Sequence, residues 1–277
     1  MKKIIVPIDF SEQSEFALKT AAKFAQKNNA EVLALHMLEM SDAILTSNDD
    51  VEQEKLIFFL ELAKKRFEEF LEKEYLQGVN VTPIVKHFKV FSEVNDVAKE
   101  HDADLIVMGS HGVSGAKEFF VGSNTERVVR NAEVPVLVVK NDVVDIHFDT
   151  VVFATSFDDD NVEAYLKVSK LFKTLDSKVK LLYVNLPNEH FRSTEEVDKR
   201  IAEFLQKADG NLDNIDNVAY QADYSVEQGV INYSNKVGAD LIAVSTHGRK
   251  GLSHFFAGSI GEDIANHSTL PVMTFKI

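Results

Sequence analysis

The sequence repeats itself, and that limits the fold more than any other feature of the chain. Residues 3–11 read KIIVPIDFS and residues 150–158 read TVVFATSFD. Aligning Phe10 with Phe157 gives an offset of 147 (157 − 10), which also lays EVLALHML (31–38) over KVKLLYVN (178–185). Further along, ADLIVMGSHG (103–112) matches ADLIAVSTHG (239–248) at an offset of 136 (248 − 112). That second offset carries EVPVLVVK (133–140) onto TLPVMTFK (269–276). Four matches in one order indicate a duplicated structural unit. The 11-residue difference between offsets (147 − 136) gives the first copy the longer middle, around 42–80. A polar and aliphatic stretch near 141–148 joins the copies, so the expected domains are 1–140 and 148–277.

Each copy alternates strand and helix. In the first, IIVPI (4–8) is a short apolar run of the kind buried on both faces of a parallel sheet. Residues 14–27 place Phe16, Leu18, Ala21, Ala22 and Phe24 at helical spacing, and EVLALHM is again strand-like. A charge-laced pattern over about 52–76 carries Leu56, Phe59, Leu60, Ala63, Phe67, Phe70 and Leu71 on one face, an amphipathic helix. Its charged stripe reads as a solvated face, although its many Phe residues would also suit a partner. A strand at 81–88, a helix near 92–101, a strand at 104–109, a helix near 123–132 and a strand at 134–139 complete the copy. Five strands alternating with four helices imply a mainly parallel, doubly wound α/β sheet, and the 277 residues allow two such domains. Ligands of such sheets sit beyond the carboxyl ends of the strands.

Composition removes several function classes. With 30 basic and 44 acidic residues the net charge is −14, which opposes a nucleic-acid or anionic-membrane surface. It does not oppose a small nucleotide site built from backbone N–H groups. There is no cysteine, so thiol nucleophiles, disulfides and cysteine zinc sites are excluded. MKKIIVPIDF meets a Pro and an Asp too early for a secretory signal, and no apolar run is long enough to span a bilayer. A cytoplasmic location is the expectation.

The loop after the fourth strand, MGSHGVSGAKEFFVGS (108–123), spaces Gly109, Gly112 and Gly122 as G-x2-G-x9-G before Ser123. Ser123 with Glu126 forms an S-x-x-E capping box, which fixes a helix start whose free N–H groups suit a phosphate. Glycine turns and capping boxes also occur without any ligand, and the loop lacks the Lys of a P-loop.

Together, VPIDFS near the start, ADLIVMGSHG, VGS and VPVLVV resemble the universal stress protein family, and the resemblance runs through the chain twice. It implies two tandem Rossmann-like domains (adenine nucleotide alpha hydrolase-like), each a mainly parallel five-stranded sheet flanked by helices. It implies an adenine nucleotide (ATP, ADP or AMP, with or without Mg²⁺) as ligand, in stress response or signalling. By the family pattern Asp9 meets the adenosine end, with Pro7 and Ile8 shaping its pocket. Met37, after His36, contacts adenine through backbone; Met108 and Gly109 lie near the ribose, and His111 and Gly112 near the phosphates. Gly122, Ser123 and Asn124 hold phosphate at the helix start. Asp9 has a structural alternative beside the N-cap of a helix starting after Ser11, and Met37 alone would read as core.

The second copy departs from this pattern. Gly248, Gly258 and Ser259 persist, but Asp9, Pro7 and Gly109 are answered by Ser156, Ala154 and Ser245. The expectation is a weakened or empty second site. Arg249 and Lys250 keep phosphate pairing open, and Ser259 with Glu262 repeats the capping box. His247, His254 and His267 lack metal spacing, and Asp158–Asp160 suit a helix start better than Mg²⁺. No catalytic constellation is recognisable: only His111 and Lys117 stand near the phosphates, so a slow ATPase is a lesser reading and a nucleotide-independent scaffold the main alternative. Expected partners are the nucleotide and an unidentified protein. The two copies would mimic the family's dimer through VPVLVV and LPVMTF, with a further homodimer open.

Overall fold

A computed structural model describes residues 1–38, 50–87, 93–110, 123–140, 148–246, 264–265 and 267–277. The chain falls into two compact units that meet in sequence at Val144 and Asp145.

In unit 1 the elements run β1 (Lys3–Pro7), α1 (Glu12–Asn28), β2 (Glu31–Leu38), α2 (Asp50–Leu71), β3 (Asn80–His87), α3 (Val94–Glu100), β4 (Leu105–Gly109), α4 (Ser123–Asn131) and β5 (Val136–Val139). The strands are ordered β3-β2-β1-β4-β5, and every pairing is parallel. Ile4, Ile5 and Val6, with Leu105, Ile106 and Val107, are wholly buried, as strands covered on both faces require. On one face Leu33, Leu35, Met37 and Met108 join Val94, Val97, Val128 and Val129 in a single core.

Helix α1 begins where Ser11 caps it, its side chain accepting from the Ser14 N–H, and ends at left-handed Asn29. Ala17, Leu18, Ala21, Ala22 and Phe24 form its buried face. Helix α2 stops at Leu71, five residues before the expected end at 76 (76 − 71), and a 3₁₀ turn spans Glu74–Leu76. Periodicity explains the stop. Leu76 lies nine residues past buried Phe67 (76 − 67), and at about 100° per residue a continued helix would turn it to the opposite side. The turn buries Leu76 instead. Outward on α2, Ile57 and Phe58 are exposed among the charged residues, so the solvated stripe is partly apolar.

Unit 2 repeats the plan with β6 (Thr150–Ala154), α5 (Val162–Thr174), β7 (Lys178–Asn185), α6 (Thr194–Asp209), β8 (Val218–Ala222), α7 (Val226–Lys236), β9 (Leu241–Thr246) and β10 (Val272–Lys276). Its order is β8-β7-β6-β9-β10, again parallel throughout. Helix α6 carries a complete capping box, Ser193 with Glu196, and ends at left-handed Gly210. Among the described residues no helix is long and apolar enough to cross a membrane.

The order of unit 1 puts β1 between β2 and β4, so the chain leaves β1 and β4 toward opposite sides of the sheet. The carboxyl ends of these two strands flank the switch-point crevice where such folds take ligands.

Candidate functional site

The end of β1 is shaped by an unusual backbone. Phe10 has φ 63° and Phe157, its counterpart, φ 55°. A bulky aromatic in the left-handed region costs roughly 1–3 kcal/mol and needs support. In unit 1 the support is an Asx turn: the Asp9 carboxylate accepts from the Ser11 N–H at 3.0 Å and from the Ser11 hydroxyl. Ser11 then caps α1. The structural role open to Asp9 from the sequence is therefore real, and the residue also stands at the mouth of the crevice.

The Phe10 ring sits in an aromatic cage, 4.6 Å from His36, 5.3 Å from Phe67 and 5.5 Å from Phe70 between centroids, with the Arg66 guanidinium 5.6 Å above it. His36 donates from Nδ1 to the Ile8 carbonyl at 2.7 Å, and the Ile8 N–H reaches the Leu35 carbonyl at 2.7 Å. Together these bonds fix the β1 exit against β2. Burial lowers the His36 pKa below its ordinary value, against the bond to Ile8, which raises it; Arg66 lowers it further and Asp9 raises it. Asp9, Phe10, Arg66, Glu69, Phe70 and Lys73 line an open groove of about 500 Å³.

Pro7 ends β1 and Ile8 is buried behind it. The side chains of Met37 and Met108 lie in the core beneath the crevice, which leaves backbone as their means of touching a ligand. Gly109 ends β4 under a constraint the loop sequence did not reveal. A Cβ there would lie 2.7 Å from the Gln13 carbonyl oxygen and 2.8 Å from its carbonyl carbon, so the first turn of α1 leaves no space for a side chain. The Gly109 carbonyl accepts from the buried Thr125 hydroxyl at 2.9 Å, which ties the strand end to α4. Ser123 and Asn124 open α4, and Glu126 pairs with Arg130 at 2.6 Å. His111, Gly112, Lys117 and Gly122 lie outside the described residues, as do Gly248, Arg249, Lys250, His254, Gly258, Ser259 and Glu262.

Unit 2 fills the corresponding place with its own side chains. Ser245, at the position of Gly109, donates its hydroxyl to the buried Asn161 side chain. The Asn161 amide in turn donates to the Ser156 hydroxyl, at the position of Asp9, at 3.1 Å. Room for Ser245 arises because α5 starts at Val162, after a 3₁₀ turn at Asp159–Asn161, whereas α1 is already helical at Glu12. Arg200 donates to the Ser156 carbonyl and pairs with Asp158 at 2.6 Å, while Lys207 pairs with Asp159 at 2.8 Å. Two of the three acids of the run are thus paired with cations, and no group of three metal-binding side chains occurs among the described residues. His267 contacts Glu227 at 2.6 Å.

The profile of the universal stress protein family matches residues 1–140 and again 147–276. The chain belongs to the universal stress protein family. A universal stress protein of Methanocaldococcus jannaschii is 32% identical over 153 residues, half of this chain and 94% of the relative. A second from the same organism is 36% identical over 144 residues, covering 82% of its length. The solved structure of a universal stress protein from Archaeoglobus fulgidus shares the fold over 99% of this chain and 96% of its own, with a TM-score of 0.68 and 20% identity. This universal stress protein is of the tandem kind, with two family domains in one chain.

Proposed function

We propose that this universal stress protein binds an adenine nucleotide in unit 1, at the carboxyl ends of β1, β2 and β4, and that a protein partner reads the bound state in stress response or signalling. Asp9, with Pro7 and Ile8, would receive the adenosine end, beside the backbone of Met37. Met108 and Gly109 would border the ribose. His111, Gly112, Gly122, Ser123 and Asn124 would hold the phosphates, with or without Mg²⁺. Unit 2 would be the degenerate partner.

The observation that carries this reading is the contrast between the copies. At equivalent positions unit 1 has a carboxylate that lines an open groove and a glycine packed against the first turn of α1. Unit 2 has two serines tied together through a buried asparagine. The contrast fits a ligand received by unit 1 and not by unit 2.

Asp9→Asn tests the assignment. The amide oxygen still accepts from Ser11, so the Asx turn and the cap survive, but the charged acceptor offered to ligand is lost. Losing a hydrogen bond to a charged group costs about 1.5–3 kcal/mol, so ATP affinity should fall at least about tenfold with the melting temperature little changed. Unaltered affinity would contradict the placement of adenosine at Asp9.

A second reading, a nucleotide-independent scaffold, has one specific observation in its favour. Both Asp9 and Gly109 have structural duties sufficient to explain them without a ligand. Partner binding that ignores ATP would favour it.

A further inference from the structure

The opposite end of unit 2, at the amino end of its second strand, holds a cavity. In unit 1, β3 pairs with β2 from the first residue, Glu31 with Asn80. In unit 2, β8 joins β7 only at Leu181 with Val218, so Lys178, Val179 and Lys180 extend past the start of β8. This leaves a notch at the amino end of β7, between the end of α5 and the segment before β8. It forms a cavity of about 410 Å³, a size ordinary for small-molecule sites.

The two copies close this place differently. In unit 1 the 3₁₀ turn before β3 buries Leu76 at 8% exposure, whereas the turn before β8 leaves Ile215 at 39%. At the 147-residue offset, Leu18, Ala22, Ala30 and Leu33 of unit 1 are all buried. Their counterparts in unit 2 are Tyr165, Ser169, Ser177 and Lys180, and all four line the cavity. Four positions that are buried and apolar in unit 1 carry three hydroxyls and a lysine in unit 2. The fold does not need them, because the first copy manages without.

The lining is also prepared for a ligand. Tyr165 donates its hydroxyl to Asp209 at 2.6 Å, and the Asn214 amide reaches Tyr165 at 3.0 Å and Asp209 at 2.9 Å. Asn217 donates to Asn214 at 3.2 Å, so both lining amides are oriented. The Ser177 hydroxyl oxygen is buried with no hydrogen-bond partner, which is costly unless something else supplies one. Lys173, Lys178 and Lys180 line the cavity with one acidic residue, Asp176, and the Asp209 carboxylate lies behind Tyr165 and Asn214. Among the described residues none of these three lysines forms an ion pair, although the chain carries 44 acidic residues. Three lysines against the two carboxylates of Asp176 and Asp209 leave a local excess of positive charge on an acidic protein.

We propose that this notch is a second ligand site, separate from the nucleotide crevice, which takes a small oxyanion: a phosphate ester or a polycarboxylate. Ser177 would donate to the anion, and Lys173 and Lys180 would pair with it. Charge-assisted bonds to phosphate or carboxylate oxygen suit this donor-rich set.

The test uses the full chain, labelled with ¹⁵N and titrated with inorganic phosphate and separately with citrate at constant ionic strength. The amide signals of Ser177, Lys178 and Asn217 are followed. At least one probe should give saturable shifts there, and the Lys173→Gln/Lys180→Gln double variant should weaken binding by about tenfold or more. Saturation by phosphate alone identifies a phosphorylated ligand, and by citrate alone a carboxylate. Ser177→Ala adds a readout that a purely structural hydroxyl would not give, since binding should weaken while the melting temperature holds or rises. Shifts that never saturate with either probe, or saturation unchanged in the double variant, would overturn the proposal. A lowered melting temperature in Ser177→Ala would remove Ser177 from the site.

Discussion

The Cβ that Gly109 lacks would lie 2.7 Å from the carbonyl oxygen of Gln13, a contact with backbone that no side-chain rotation can relieve. The end of β4 and the first turn of α1 are therefore fitted to each other. Gly109→Ala should destabilise unit 1 by about 1–3 kcal/mol, the usual cost of overpacking. Urea unfolding followed by a unit 1 probe measures it. The same alanine at Ser245 of unit 2 should act differently, because there the Cβ is already accommodated and only the bond to Asn161 is lost.

Asn161 joins Ser156 to Ser245 inside unit 2. Asn161→Ala leaves the Ser245 hydroxyl, buried at 4% exposure, without this acceptor. An unsatisfied buried polar group costs about 1–3 kcal/mol, and the unit 2 transition should shift by that amount with unit 1 unaffected. The loss should appear whether or not ATP is present, since the account puts no nucleotide there.

Several of these relationships could be read in the sequence and several could not. The wholly buried strands announced themselves as apolar runs such as IIV and LIV, and the face of α1 as Ala and Leu at helical spacing. The end of α2 was missed because charge and apolar pattern continue past Leu71, while the phase slip of Leu76 shows only against the core. Asp9 was singled out through the family pattern, and Gly109 first through the spacing of the loop glycines. The reason Gly109 is glycine lies at Gln13, 96 residues away (109 − 13), a contact created by the crossover connection. Phe10 and Phe157 aligned the repeats, yet nothing local announces that both adopt positive φ. Ser156 and Ser245 were seen as departures; Asn161, which makes them a unit, was not, because the later start of α5 is visible only in three dimensions.

Titration of His36 should appear in stability. Its folded pKa is lowered from 6.5, chiefly by burial. Stability is therefore complete above pH 6.5 and is lost as pH falls from there through the depressed folded value, because the unfolded imidazole takes the proton first. Urea midpoints for unit 1 should fall as the pH drops below 6.5, and His36→Gln should flatten that part of the profile. An equal slope in the variant would place the titrating group elsewhere.

The central claim is that one copy binds an adenine nucleotide and the other does not. Calorimetric titration of the nucleotide-stripped chain with ATP and Mg²⁺ tests it most directly, read for stoichiometry. The account predicts about one ATP per chain, lost or strongly weakened in Asp9→Asn. Two ATP per chain would contradict the closure of unit 2 by Ser156, Asn161 and Ser245, and no binding would contradict the nucleotide reading altogether.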